Sequence, residues 1–139
     1  MDMKRLMNKA KSLITPKQAA PVIGSGKTVA IIHFNTPELT EAAILSLRKH
    51  GGESWQGVVF DNSNQRPWDK EMDGVIRIDN TKGQYVDFDA ELAKYPDKQM
   101  EYNRIANFAS VKHMLSVQKL WDLIPGGFIL LESDVLLRK

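Results

Sequence analysis

Four short apolar runs punctuate the chain, and each turns abruptly polar at its carboxyl end. Val29-Ala30-Ile31-Ile32 leads into His33 and Asn35, and Gly57-Val58-Val59-Phe60 into Asp61-Asn62-Ser63-Asn64. Val75-Ile76-Arg77-Ile78 leads into Asp79-Asn80, and Phe128-Ile129-Leu130-Leu131 into Glu132-Ser133-Asp134. Continuous rather than alternating apolarity predicts strands covered on both faces, as in a parallel sheet. After the first run, Thr36 is placed to cap a helix with Pro37 at its first position and Glu38 and Glu41 in its first turns. Arg48, Lys49 and His50 suit its carbonyl end, and Gly51-Gly52 ends it. Leu39, Ala42, Ala43 and Leu47 are its expected inner face. A second helical period runs from about Glu101 to Leu123 and stops at Pro125-Gly126-Gly127. Phe108, Val111 and Leu115 form one stripe, Met114, Val117 and Trp121 the next, so this helix is predicted to be broadly buried. Residues 84–100 show no clear period, and the link between the second and third strands does not look helical.

Ahead of the first strand, residues 1–15 form an amphipathic pattern through Met3, Leu6, Met7, Ala10, Leu13 and Ile14. Pro16 and Pro21 bracket a linker that runs through Gly26. The expected organisation is a basic leader and linker over 1–27 and an α/β domain over 28–139. The formal charge of +2 divides along that boundary. Residues 1–27 hold Lys4, Arg5, Lys9, Lys11, Lys17 and Lys27 against Asp2, a net +5, so the body carries −3. A basic leader on an acidic body argues against nucleic acid, which needs a basic face on the folded domain. The leader suits packing on its own body or on a second copy of the chain, and less well a peripheral contact with a membrane. With 139 residues, 42% hydrophobic and 26% charged, the chain is of ordinary globular composition. It has no cysteine, which excludes disulfides and thiolate metal sites. Its apolar runs are too short to span a membrane, and a cytoplasmic protein is expected.

Ligands of open parallel sheets bind beyond the carboxyl ends of the strands. The polar tips His33, Asn35 and Thr36, Asp61 to Ser63, Asp79 and Asn80, and Glu132 and Asp134 would meet at that rim. Glu132 and Asp134 are two apart on an extended chain and so share a side. Two adjacent carboxylates are unfavourable unless a cation joins them, and hard oxygen ligands suit Mg²⁺ or Mn²⁺. Asp61 fits either a hydrogen bond to a base or ribose, or an Asx-turn that simply ends its strand. Lys112, His113 and Arg104 read first as a solvated face, and secondarily as cations for a diphosphate. Trp55 and Trp68 suit lids or core cover, and Trp121 suits the core. The Gly24-Ser25-Gly26-Lys27-Thr28 segment is a poor phosphate loop, because a linker precedes it and a strand follows.

The segments "VAIIHFNTPELTEAAILSL", "VVFDNSN", "VIRIDNTKG" and "FILLESDV" resemble the N-terminal half of a family 2 glycosyltransferase of the GT-A type. The resemblance spans Thr28 to Asp134. It implies an α/β fold with a mostly parallel Rossmann-like sheet and flanking helices, incomplete on its C-terminal side. It implies transfer of a sugar from a nucleoside diphosphate sugar, with inversion, to an acceptor hydroxyl on a glycan or lipid-linked sugar. Carried over, His33, Phe34, Asn35 and Thr36 border the base, and Asp61 holds the base or ribose. Asp134 with Glu132 binds the metal, Mn²⁺ or Mg²⁺, and the diphosphate. Glu132 departs from the family's usual Asp and is expected to be the weaker ligand. The family continues well past this motif, whereas Val135 to Lys139 alone follow here, so no general base is assigned. A donor-binding half with an open sheet edge, prone to dimerise, is the expectation. The rivals are a non-catalytic nucleotide-binding or assembly module and, ranked lower, a sugar nucleotidyltransferase.

Overall fold

The computed structural model describes residues 27–52, 54–94 and 108–133. The leader, the linker, Arg104 and Asp134 lie outside the described residues. The described chain runs β1 (Thr28–His33), α1 (Pro37–Gly51), β2 (Gln56–Asp61), β3 (Val75–Asp79), α2 (Phe88–Ala93), α3 (Phe108–Leu123) and β4 (Ile129–Leu130). All four strands are parallel, in the order β3-β2-β1-β4. The chain steps outward from β1 to β3 and then returns to the other side of β1. The switch point therefore lies between β1 and β4, where open α/β sheets bind ligands at the carboxyl ends.

Double-faced burial is observed in β1 and β2, whereas β3 is buried only at Ile78 and Ile129 of β4 is 54% exposed, so the expectation fails for the two edge strands. Val29, Ile31 and Val59 pack with Ala43, Ile44, Leu47, Trp68 and Leu131 on the α1 side. Ala30, Val58, Phe60 and Ile78 pack with Val86, Leu120 and Ile124 on the α3 side. Successive residues of a strand serve opposite layers, as the pleat requires. β2 and β3 are joined without a helix. Residues 62–74 make that crossover as a loop, and buried Trp68 takes the core volume that a helix would otherwise fill on the α1 face. Trp55 packs at the edge of the same cluster, so both tryptophans cover core.

Two helix faces differ from expectation. In α1 the buried residues are Pro37, Thr40, Ala43, Ile44 and Leu47, while Leu39 is 48% exposed. Thr40 displaces Leu39 because its hydroxyl reaches buried His33, which turns the helix by about one residue. In α3 the inward residues are Ser116 and Leu120, and Met114 and Trp121 face solvent. The expected core role of Trp121 is therefore corrected. It is 69% exposed and stacks edge-on against Phe128, at 6.3 Å between ring centres. The unplaced stretch 84–100 contains the short helix α2, capped by Asp87, whose carboxylate accepts the Ala90 amide at 3.1 Å. No described helix is long and apolar enough to cross a membrane.

Candidate functional site

β2 and β3 both end in an Asp that is followed by an Asn, and the ladder places the two ends side by side, with Asp61 opposite Asp79. The pleat sends the aspartates to the α1 face and the asparagines to the α3 face. Each pair then builds a different structure.

On the α3 side, the asparagines join directly. Asn80 Nδ2 donates to Asn62 Oδ1 at 2.9 Å and to the Val86 carbonyl at 3.1 Å. Asn80 Oδ1 accepts the amides of Tyr85 and Val86 at 2.9 and 2.8 Å. The 80–86 turn is thereby closed around one buried side chain, with Gly83 at φ 69° completing the bend. Asn62 Nδ2 donates to Ser116 Oγ at 2.8 Å, and that hydroxyl donates to the Lys112 carbonyl at 2.7 Å. The sheet rim is thus tied to α3.

On the α1 side, Asp61 is wholly buried. Its Oδ1 accepts the Ser63 amide at 3.0 Å, the Asx-turn geometry. Its Oδ2 accepts the Trp68 amide at 2.8 Å and two Arg77 bonds, from Nε at 3.0 Å and Nη2 at 2.8 Å. Arg77 Nη1 also lies 3.3 Å from Asp79 Oδ2, while Asp79 Oδ1 accepts the amide and hydroxyl of Thr81. Burial by itself would raise the Asp61 carboxyl. The bonds from Ser63, Trp68 and Arg77 outweigh it and hold Asp61 below the usual carboxylate range. Asp79 is held low in the same way, with Thr81 and Arg77 outweighing desolvation.

Between these two structures the rim opens into a cavity of about 350 Å³. Phe34 borders it from β1. Asn62, Ser63 and Asn64 form one lip, and Asn80, Thr81, Lys82 and Gly83 form the other. Val86, Asp87, Phe88 and Asp89 close it from the α2 side and Lys112 from α3, the Lys112 ammonium lying 5.5 Å from the Phe88 ring centre. The volume falls in the ordinary range for a small-molecule site.

The residues expected at this rim separate into three groups. Phe34 lines the cavity and is 49% exposed. His33, Asn35, Thr36 and Asp61 do not line it and act from behind. Buried His33 has its Nδ1 2.7 Å from Thr40 Oγ1 and its Nε2 3.3 Å from the Arg66 carbonyl. The carbonyl can only accept, which assigns the proton to Nε2 and leaves Nδ1 to accept from Thr40. Burial pushes its pKa below the ordinary histidine value, against a weaker upward pull from the Arg66 carbonyl and Asp61. Asn35 sits in the left-handed region at φ 55°, which asparagine tolerates. Its Oδ1 accepts three successive amides, those of Asn64, Gln65 and Arg66, at 3.2, 3.0 and 2.9 Å. Its own amide donates to Ser63 Oγ, and its Nδ2 to Asn64 Oδ1. Thr36 precedes α1 without a side-chain cap bond.

Glu132 forms the third group. It is exposed past β4, and its carboxylate lies 3.4 Å from His113 Nε2 on α3. Among the described residues no three His, Asp or Glu side chains converge as metal ligands. Lys82, Asp87, Phe88, Asp89 and Ser116 are site residues that the sequence reading missed. The polar ends of the apolar runs pointed to this rim, and the Asp-Asn pair shared by two of them could have singled out the β2–β3 side. The chain matches no family model, no curated protein and no solved structure.

Proposed function

We propose that this chain carries the donor site of a glycosyltransferase of the GT-A type, which takes a nucleoside diphosphate sugar and passes the sugar to an acceptor hydroxyl. The observation that carries the reading is the cavity at the carboxyl ends of parallel strands, lined by the exposed aromatic Phe34 and by Lys82 and Lys112, with Asp87 and Asp89 at its α2 wall. Phe34 offers its ring to the base, while Asn62 and Asn64 offer amides to polar edges. Lys82 and Lys112 bring positive charge to a diphosphate. Asp61 serves by holding Ser63 in place, not by touching the base. Asp134 and Glu132 would hold Mn²⁺ or Mg²⁺, which would offset diphosphate charge.

Thermal shift with a panel of nucleoside diphosphates and nucleotide sugars, with and without Mn²⁺, tests this. A ligand at 100 times its Kd adds about 2.7 kcal/mol to stability. A saturable, metal-dependent rise is expected, abolished in its metal dependence by Asp134→Ala and reduced by Lys112→Ala. The same rise without metal, unchanged in Asp134→Ala, contradicts the metal assignment; no rise with any ligand contradicts the site. A transfer assay on a bound donor separates the enzyme from a binding or assembly module.

A further inference from the structure

Arg77 stands outside the cavity, on the opposite face of the sheet, yet each lip of the cavity is fixed through a carboxylate that it holds. Asp61 fixes the first lip by accepting the amides of Ser63 and Trp68. Asp79 fixes the second by accepting the amide and hydroxyl of Thr81. Ser63 and Thr81 both line the cavity. The guanidinium is planar and forked, so Nε and Nη2 engage Asp61 while Nη1 turns to Asp79. A lysine ammonium has no second arm of this kind. Arg77 reaches both acids because it lies two residues before Asp79 on the same face of β3 and opposite Val59, which is two residues before Asp61 on the neighbouring strand.

We infer that Arg77 is a positioning residue that sets the spacing between the two lips of the cavity, and through it the fit of the ligand. The lip geometry stands on the structure alone; its effect on a nucleoside diphosphate rests on the function proposed above. Loss of the Asp79 arm loosens Thr81 at the start of the second lip, whose turn Asn80 still closes, while the Asp61 side stays held. Loss of both arms also leaves buried Asp61 without its cation and frees the 63–68 segment.

Amide hydrogen exchange on the ligand-free protein tests the geometry, and UDP affinity tests its consequence. In Arg77→Lys, which keeps a charge beside Asp61, exchange at Thr81 should rise about tenfold while Ser63 and Trp68 keep their protection. In Arg77→Met all three should rise, with Ala43 in α1 and Ala30 in β1 unchanged. UDP affinity should fall about tenfold in Arg77→Lys with the melting temperature nearly unchanged, a split that a purely structural role does not give. Protection lost uniformly across the core, or kept at Thr81 in Arg77→Lys, would overturn the inference. If Arg77→Met does not fold, Arg77→Lys alone decides. Lip-limited exchange together with no UDP binding by the unaltered protein would leave the clamp standing and remove the nucleotide reading.

Discussion

The two sides of the sheet treat their strand-end acids in opposite ways. On the β2–β3 side, long ladders end in carboxylates that are buried or half-buried and accept several bonds each. On the β4 side, two residues pair with β1, Ile129 is 54% exposed, and among the described residues Glu132 meets a single partner, His113. An acid that ends a strand is equally visible in sequence on both sides. What divides them is whether the chain folds back over it. Residues 62–74 return across Asp61 with Trp68 at their centre, and the described residues place nothing comparable over Glu132. The covered side builds the walls of the cavity, and the open side keeps a carboxylate accessible.

The difference can be broken most strongly at Asp61. Asp61→Ala orphans Arg77 and the amides of Ser63 and Trp68, and should cost about 3 kcal/mol, the lower end for a broken buried pair because Arg77 is partly solvated. Urea denaturation measures it, and Glu132→Ala in the same assay should fall within about 0.5 kcal/mol of the unaltered protein. A comparable loss for the two variants would erase the contrast.

Acid titration sharpens it. The folded-state pKa of His33 lies below its ordinary 6.5, so below that pH the unfolded chain takes a proton that the folded chain refuses. Stability should therefore decline as pH falls through 6.5 toward the lowered folded value. A second decline should follow as pH falls below 3.8, where the lowered pKa values of Asp61 and Asp79 make protonation favour the unfolded chain. His33→Gln should flatten the first decline and leave the second, as followed by melting temperature against pH.

Asn35 offers a smaller effect on the covered side. Asn35→Gly keeps the left-handed backbone and removes the acceptor of three amides, so it should cost about 1–2 kcal/mol. Asn35→Asp keeps the acceptor and should cost less. If the glycine variant is as stable as the unaltered protein, the left-handed backbone is the whole role of this position.

How far these features could be read in advance follows from their range along the chain. The strands were legible because each apolar run is local and bounded by polar tips, and Pro37 at the start of α1 and the glycines at its end are likewise local signals, whereas the expected Thr36 side-chain cap is not made. Trp121 and Leu39 misled, because periodicity fixes a helix's stripe only to within a residue or so, and in α1 a hydroxyl-to-imidazole bond, Thr40 to His33, decided the rotation. The short α2 escaped because six residues hold too little period to register. At the site, the rim itself was legible, since Asp61-Asn62 and Asp79-Asn80 end adjacent runs. Which residues face the cavity was not. That depends on pleat parity and on a loop crossing, and it moved Asp61 from the ligand side to the scaffold and brought in Lys82, Phe88 and Asp89 from segments without pattern.

The central claim is that the cavity between the two lips is a nucleoside diphosphate site, and amide chemical-shift mapping tests it most directly. UDP with Mn²⁺ titrated into the labelled chain should give saturable shifts at Phe34, Asn64, Lys82, Gly83 and Lys112, with the amides of Trp121 and Ile129 unmoved. Shifts that saturate elsewhere, or no saturable shift at all, would contradict it.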